Sequence, residues 1–243
     1  MKNWFESWFD TKYYHILYKN RDESEAEFFI KKITEKLDIQ ANKTLLDLAC
    51  GKGRHAMFLN TLGYNVVGVD LSASSIKSAK KSENNRLKFF THDMRDPIEG
   101  YKFDFVFNLF TSIGYFDDEA DNVNMLRSIY SYMNKDGILV IDFLNEHKVK
   151  ATLESHATKT IDNIDFHIEK KIVNGIIEKR ISFHDEGEDF AFEERVHALT
   201  LDNFKSYLKL ANFEILELAG DYHLNQFDRE KSDRLIIFAK KNK

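Results

Sequence analysis

The stretch LLDLACGKGRH, residues 45–55, is an apolar run that carries one acid, Asp47, and then breaks into two glycines, Gly51 and Gly53. A short apolar run that ends in glycines is typical of a strand buried in a parallel sheet. The glycines let the chain turn sharply and let its backbone approach a ligand, because no Cβ intervenes. The stretch therefore predicts a strand, a tight loop at a ligand site and a helix over residues 54–63. It also raises the question of why a buried strand tolerates an acid.

Strand and helix patterns alternate from this stretch onward. The predicted strands cover residues 43–49, 65–70, 86–93, 103–108 and 138–143. Apolar strands that alternate with helices predict an α/β fold built on a doubly wound, mostly parallel sheet with helices on both faces. Two further strands, 213–221 and 233–241, are joined by a polar loop and close the chain.

Residues 155–199 break this rhythm and are predicted to form an antiparallel β insertion after the fifth strand. Within them, Asn174-Gly175 lies between two alternating runs, which is the strongest short hairpin signal. The insertion either covers the substrate or forms a dimer surface, since exposed strand edges invite pairing. A monomer or a homodimer is therefore expected. No proline-rich linker divides the chain, so residues 1–243 are predicted to form a single domain.

The composition excludes several classes of protein. The net charge is −5, from 35 basic and 40 acidic residues, which gives no long-range attraction to nucleic acid. The single cysteine, Cys50, excludes an intramolecular disulfide and a cysteine-rich zinc site. The nine histidines show no metal-binding spacing, so no metal is predicted. No signal peptide and no apolar run of roughly 20 residues is present, so a cytoplasmic protein without a membrane span is expected.

Polar side chains stand at the ends of the predicted strands. Asp70 ends the second strand, Asp93 the third and Asn108 the fourth. Ligands of open parallel sheets bind at these carboxyl ends. Asp70 follows Gly53 by 17 residues, which is about the spacing of the acid that binds a nucleotide ribose. The alternatives are a helix-capping role for Asp70, before Ser72, and a plain turn at Asp93.

Two classes of nucleotide compete for such a site. GKGRHA, residues 51–56, fits the pattern G-x-G-x-x-[GA] of dinucleotide-binding loops. Asp47 argues against a dinucleotide, because a carboxylate just before the loop would repel a pyrophosphate. S-adenosylmethionine carries an ammonium, a sulfonium, a ribose and an adenine but no phosphate, and it would be attracted instead.

Five segments in succession resemble the motifs of class I, Rossmann-like, S-adenosylmethionine-dependent methyltransferases. These segments are LLDLACGKGRHA, VVGVDLS, FFTHDMRD, FDFVFNLFTSIGYFDD and NKDGILVIDF. FNLFTSIGYF and SDRLIIFAKK further resemble a subgroup of small bacterial methyltransferases. The resemblance implies a seven-stranded sheet that ends in an antiparallel hairpin. It also implies that residues 1–40 form an N-terminal helical lid segment over the cofactor.

The resemblance also implies which residues bind the S-adenosylmethionine cofactor. Asp47 would reach its ammonium, directly or through water, Asp70 its ribose and Asp93 its adenine amino group. Met94 would pack on the adenine ring, and Asn108 would lie along the methionyl moiety. The implied cofactor-binding set is Asp47, Ala49, Cys50, Gly51, Gly53, Asp70, Leu71, Asp93, Met94, Asn108 and Leu109.

The methyl acceptor is harder to place, and no motif identifies a catalytic base. Candidate acceptor-binding residues lie in the aromatic N-terminal segment, after the fourth strand, at the end of the insertion and in the last loop. They are Tyr14, His15, Tyr18, Tyr115, Arg195, His197 and Tyr222, with Asp221 and His223 beside the last.

The favoured function is methyl transfer to a small molecule by in-line displacement. One alternative is a methyltransferase that acts on RNA or protein, which requires a basic face. The other alternative is a nicotinamide-dependent oxidoreductase or a cofactor-binding protein without activity.

Overall fold

The computed structural model describes residues 8–19 and 23–242. Residues 1–7 and 20–22 of the predicted lid segment lie outside the described residues. The strands are β1 (Thr44–Leu48), β2 (Asn65–Asp70), β3 (Leu87–Thr91), β4 (Phe103–Asn108), β5 (Met133–Leu144), β6 (His156–Ile161), β7 (Ile164–Val173), β8 (Ile176–Asp185), β9 (Glu188–His197), β10 (Phe213–Ala219) and β11 (Arg234–Lys241). The α-helices are α1 (Lys12–Leu17), α2 (Glu23–Lys36), α3 (Arg54–Thr61), α4 (Ala73–Ala79), α5 (Glu119–Tyr132), α6 (Glu146–Ala151) and α7 (Leu201–Leu210).

Seven strands form one sheet in the order β10-β11-β5-β4-β1-β2-β3. The pairs among β1 to β5 are parallel, whereas β11 runs antiparallel to both β5 and β10. This arrangement confirms the predicted doubly wound sheet and its C-terminal antiparallel hairpin. The strand order reverses at β1, because β2 and β3 lie on one side of it and β4 and β5 on the other. A ligand crevice is expected at such a point, outside the carboxyl ends of the strands.

Helices cover both faces of this sheet because its strands are apolar on both sides. In β1, Leu45, Leu46 and Leu48 are all fully buried. Leu46 and Leu48 belong to one hydrophobic cluster, with α5 and α7, while Leu45 belongs to another, with α2 and α3. Alternate side chains of a strand point to opposite faces, so one short strand contributes to both cores.

The insertion forms a separate antiparallel sheet in the order β6-β7-β8-β9, as predicted. Its central hairpin turns at Asn174-Gly175, where both residues have positive φ, 51° and 77°. Two positive φ angles in a two-residue loop match the twist of the flanking strands. The inner face of this sheet buries Phe166 and Phe183 against Trp8 and Tyr13 of the N-terminal segment. The insertion and α1 are therefore joined by a hydrophobic core of their own.

Side-chain caps begin two helices, α4 after β2 and α7 after the insertion. The hydroxyl of Ser72 accepts a hydrogen bond of 3.1 Å from the backbone N–H of Ser75, at the start of α4. Thr200 and Asn203 form a capping box at the start of α7. Both caps follow from the preference of short polar residues for this position. In the part of the chain that the structure describes, no helix is long and apolar enough to cross a membrane.

Candidate cofactor and acceptor site

A cavity of about 460 Å³ opens at the carboxyl ends of β1 to β4. Helix α1 and strand β9 close its far side. Its lining residues are Phe9, Tyr14, His15, Tyr18, Lys19, Leu48, Ala49, Cys50, Gly51, Lys52, Arg54, His55, Asp70, Leu71, Ser72, Ser75, His92, Asp93, Met94, Arg95, Leu109, Phe110, Ser112, Tyr115, Phe116 and Glu194. The structure therefore brings most of the predicted cofactor residues together with four of the predicted acceptor residues.

The loop after β1 bends through three left-handed residues, Ala49, Gly51 and Gly53, with φ angles of 63°, 56° and 82°. The two glycines serve different purposes. A Cβ on Gly53 would lie 2.6 Å from the ring of Phe89, so this position needs glycine for packing as well as for its φ. A Cβ on Gly51 would meet no protein atom within 4 Å. Gly51 lines the cavity, and its bare backbone leaves the space that a ligand would occupy.

Asp47 is explained by helix α3 and not by the cavity. Its side chain is buried, with 1% exposed, and its Oδ2 accepts a hydrogen bond of 3.0 Å from the backbone N–H of Ala56. Ala56 is the third residue of α3, so the carboxylate caps the positive end of this helix from the neighbouring strand. Burial raises the pKa of Asp47 to about 7, and the charge of Asp70 adds to the rise.

The cap at Asp47 also bears on the choice of nucleotide. A dinucleotide fold places its pyrophosphate on the N-terminus of the first helix, where free N–H groups and the helix dipole attract an anion. Here a carboxylate already accepts from that helix end. This arrangement fits a cofactor without phosphate. Asp47 is not among the residues that line the cavity, and its contact with the cofactor ammonium, directly or through water, stays a prediction.

Asp70 lines the cavity at the end of β2, where a ribose would be bound. Its Oδ2 accepts from the N–H of Gly51 and its Oδ1 from the N–H of Ser72, each at 2.8 Å. The carboxylate thus ties the glycine loop to the turn before α4, whose own cap is Ser72. Each carboxylate oxygen accepts more than one hydrogen bond, so both retain capacity for ligand hydroxyls. Burial raises the pKa of Asp70 above its usual range.

Asp93 and Met94 line the cavity after β3, together with Arg95, which the sequence did not single out. Asp93 accepts from the guanidinium of Arg95 at 2.6 Å, and Arg95 also donates to Asp121 at 2.9 Å. The Arg95 guanidinium holds the pKa of Asp93 below its usual range. The backbone N–H of Arg95 also donates to Asp93 at 3.0 Å, so Arg95 fixes the direction in which this carboxylate points.

Two other predicted cofactor residues, Gly53 and Asn108, lie behind the cavity wall. Asn108 is fully buried, and its amide nitrogen donates to the backbone oxygen of Leu48 at 3.2 Å. Its Oδ1 is buried and has no hydrogen-bond partner among the described residues. Asn108 therefore joins the ends of β4 and β1, while the next residue, Leu109, lines the cavity.

His55 and Phe110 form a second unpredicted part of the wall. Their rings stack with centroids 5.1 Å apart, and the guanidinium of Arg54 lies 5.0 Å from the Phe110 centroid. Burial lowers the pKa of His55 to about 3, so its imidazole is neutral near pH 7. Within residues 8–19 and 23–242, its buried Nε2 has no hydrogen-bond partner. The position of His55 directly after the glycine loop is the sequence signal that could have identified it.

The far end of the cavity is aromatic and contains one carboxylate, Glu194 on β9. Glu194 accepts from the indole N–H of Trp8 at 2.7 Å, from the hydroxyl of Tyr18 at 2.6 Å and from Lys179 at 3.2 Å. Three of the residues predicted to bind the acceptor, Tyr14, His15 and Tyr115, line the same cavity. Burial lowers the pKa of His15 to about 4. Glu194 follows the inward-facing Phe190 and Phe192 at alternate positions, and an acid in that pattern was the available signal.

The remaining acceptor candidates lie outside this cavity lining. Arg195 is next to Glu194 on the strand, so it points to the opposite face of the insertion sheet, towards Glu178. His197 ends β9, and its N–H donates to the backbone oxygen of Gly114 at 2.8 Å. These two residues serve the insertion sheet and its junction with the main sheet.

The last loop, which contains Asp221, Tyr222 and His223, also lies outside the cavity lining. The hydroxyl of Tyr222 donates to Asp142 at 3.2 Å. Asp221 accepts backbone N–H groups within its own loop, and His223 packs on Phe28. Among the described residues, no group of three His, Cys, Asp or Glu side chains could hold a metal ion.

Comparison with known proteins agrees with this geometry. Residues 39–211 match the family model described as a methyltransferase domain. The chain belongs to the methyltransferase domain family. The predicted membership of the class I S-adenosylmethionine-dependent methyltransferases, and with it the predicted cofactor, is confirmed.

Three relatives illustrate the similarity. A provisionally named methyltransferase of Geobacillus sp. (strain WCH70) is 26% identical over 225 residues, which cover 88% of this chain and 90% of the relative. A glycine/sarcosine N-methyltransferase of Aphanothece halophytica is 26% identical over an alignment of 249 residues, which covers 100% of this chain and 89% of the relative. The crystal structure of an S-adenosylmethionine-dependent methyltransferase from Clostridium acetobutylicum superposes with a TM-score of 0.80 at 19% identity, covering 95% of this chain and 96% of that one.

Proposed function

We propose that this methyltransferase transfers the methyl group of S-adenosylmethionine to the nitrogen of a small amine. The observation that supports this proposal is the single cavity that joins the nucleotide-binding strand ends to an enclosed acceptor end. At the nucleotide end lie Gly51, Asp70 and Asp93, and at the acceptor end lie Tyr18 and Glu194.

A small acceptor is favoured because the acceptor end is enclosed by packed structure. Tyr14 comes from α1, Tyr18 follows the end of that helix as its C-cap, and Glu194 comes from β9. These elements share the hydrophobic core of the insertion, so the wall that they form is held in place by buried aromatic side chains. A cavity of about 460 Å³ lies within the size range of small-ligand pockets. An RNA or protein acceptor would need an open, basic approach, and the net charge of −5 argues against it.

An amine is favoured by the charge balance at Glu194. Glu194 forms an ion pair with Lys179, and each of these two side chains is 15% exposed, so Lys179 balances the charge of Glu194. Desolvation disfavours the charged form of an amine, and the neutral form carries the nucleophilic lone pair. Glu194 can accept a hydrogen bond from the amine N–H, and the surrounding rings exclude water. The similarity to a glycine/sarcosine N-methyltransferase agrees with an amine acceptor.

The chain's part in the reaction is alignment and desolvation. When bound, the cofactor supplies a methyl group on a sulfonium, which is already a good leaving group. Asp70 orients the ribose, and Asp93 with Met94 orients the adenine. The acceptor nitrogen, held near Glu194, forms its new bond to carbon as the bond from sulfur to carbon breaks. Approach along one line from opposite sides of the methyl carbon is the contribution that positioning makes to the rate. The nitrogen then releases its proton to solvent.

The proposal is tested by screening small primary and secondary amines for cofactor turnover, with Glu194→Gln as the variant. We expect Glu194→Gln to raise the amine KM by roughly tenfold, because one charge-assisted hydrogen bond is lost. The affinity for S-adenosylhomocysteine should be unchanged. Glu193→Gln, one residue earlier on the exposed face of β9, is the matched control and should behave as the wild type. Turnover of alcohols or RNA without turnover of amines would contradict the proposal.

A further inference from the structure

The loop after β4 contains two consecutive residues in a conformation that their side chains disfavour. Phe110 and Thr111 have φ angles of 60° and 61°. Left-handed backbone brings the Cβ of an L-residue close to its carbonyl oxygen, and a β-branched residue such as Thr tolerates it least. Such residues persist only where the surrounding structure holds them. The contacts that hold this loop are therefore informative.

Asp142, in β5, holds both residues through their backbone. Its carboxylate Oδ2 accepts from the N–H of Phe110 and its backbone oxygen accepts from the N–H of Thr111, each at 2.9 Å. Asp142 is fully buried and pairs with Arg234 at 2.7 Å. Arg234 donates in turn to the side-chain oxygen of Thr111 at 3.0 Å. Tyr222 donates its hydroxyl to Asp142 at 3.2 Å.

We infer that Asp142, Arg234 and Tyr222 form a clamp that positions the loop after β4 for cofactor binding. The three residues come from the end of β5, the start of β11 and the loop before β11, and none of them belongs to the cavity lining given above. They act through the backbone of Phe110 and Thr111, so they are positioning residues and not catalytic ones. The clamp also gives a role to Tyr222, which the sequence assigned to the acceptor.

The link to the cofactor is the position of the Phe110 ring. Leu109, Phe110 and Ser112 all line the cavity, and Phe110 stacks on His55 beside the glycine loop. If the clamp is broken, the loop can relax to ordinary negative φ angles. That change would swing the Phe110 ring and remove one wall of the cavity next to the loop that the cofactor contacts. This inference rests on the cofactor site alone and is independent of the acceptor.

The test compares Arg234→Lys with the double variant Arg234→Lys/Thr111→Gly. Lysine keeps the charge but cannot reach Asp142 and Thr111 at once with a fixed fork. We expect Arg234→Lys to bind S-adenosylhomocysteine roughly tenfold more weakly by calorimetry, with faster hydrogen exchange at the amides of Phe110 and Thr111. Glycine adopts the left-handed conformation without penalty, so the double variant should recover to within about threefold of the wild type.

The matched control is Asp104→Asn, which weakens the ion pair with Lys43 at the opposite end of β4. It should lower the melting temperature without changing the affinity for S-adenosylhomocysteine. Tyr222→Phe, which removes only the hydroxyl, is a milder variant that decides the question if Arg234→Lys does not fold. It should speed exchange at Phe110 and weaken binding by about threefold. The inference is overturned if the clamp variants lose stability while binding and exchange stay unchanged, or if Thr111→Gly restores nothing.

Discussion

Replacing Asp70 with Asn should separate cofactor binding from folding. Both carboxylate oxygens accept backbone N–H groups, from Gly51 and Ser72, each at 2.8 Å. An Asn side chain can keep only one of these bonds, which costs about 1–3 kcal/mol for the donor left without a partner. Burial raises the pKa of Asp70, so removing the charge also relieves part of the cost of burying it, which opposes this loss. The free energy of unfolding should therefore fall by no more than about 1–3 kcal/mol.

Cofactor affinity has no such compensation. The two ribose hydroxyls would each donate to a charged acceptor, and charge-assisted hydrogen bonds contribute about 1.5–3 kcal/mol each. An Asn at position 70 would keep one neutral hydrogen bond to the ribose and lose about 3 kcal/mol of binding free energy. This loss corresponds to a roughly 100-fold higher dissociation constant. The assay is calorimetry with S-adenosylhomocysteine, alongside urea unfolding of the same samples.

Asp221→Asn is the matched control for this experiment. Asp221 also accepts two backbone N–H groups, from His223 at 2.9 Å and Asn225 at 3.1 Å, but it lies outside the cavity. It should leave cofactor affinity unchanged. If Asp70→Asn binds within about threefold of the wild type while the control behaves as expected, the ribose role of Asp70 is wrong.

Two further predictions concern the opening stretch of the sequence. Gly53→Ala should lower the free energy of unfolding by about 2–4 kcal/mol, because the new Cβ would meet Phe89 and the φ angle is left-handed. Gly51→Ala should lower it by only about 1–2 kcal/mol, because its φ is left-handed but the Cβ meets no protein atom. It should instead weaken the binding of S-adenosylhomocysteine. Equal effects of the two variants on both quantities would contradict the assignment of Gly51 to the cavity. For Asp47, the pKa in the folded protein, about 7, lies above the unfolded value of about 3.9, so the folded state binds the proton more tightly. The free energy of unfolding of the wild type, relative to that of Asp47→Asn, should therefore fall as the pH rises from about 4 to about 7. Urea unfolding at several pH values measures this difference. If it does not change with pH, Asp47 does not titrate as a buried carboxyl with a raised pKa.

The strand ends were predictable because parallel strands place their carboxyl ends at one edge. Asp70 and Asp93 could be assigned to that edge from their positions after apolar runs, and the structure finds both in the cavity wall. Asp47 was assigned to the cofactor by its charge and by the resemblance, and neither could show that it lies inside β1 and accepts from the N-terminus of α3.

Other features lay beyond any local pattern. The start of β5 was predicted at residue 138, but the strand begins at Met133, which pairs with Phe103 of β4 before a shift in register brings Phe105 opposite Ile138. Glu194 was missed because its partners Trp8 and Tyr18 are separated from it by 186 and 176 residues. Tyr222 was assigned to the acceptor because it lies in the last loop, but its hydroxyl is committed to Asp142.

By itself, the sequence determined the sheet, the hairpin, the insertion and the nucleotide edge, because hydrophobic periodicity and glycine positions act over a few residues. It also determined the class of cofactor, through motifs that follow one another in order. Only the tertiary structure decided which acid caps a helix and which faces the cavity, and that the insertion and the N-terminal segment line the far end of the cavity together. The physical reason is that the direction of a side chain and its partner are set by packing between distant segments, where burial and hydrogen-bond satisfaction outweigh any local preference.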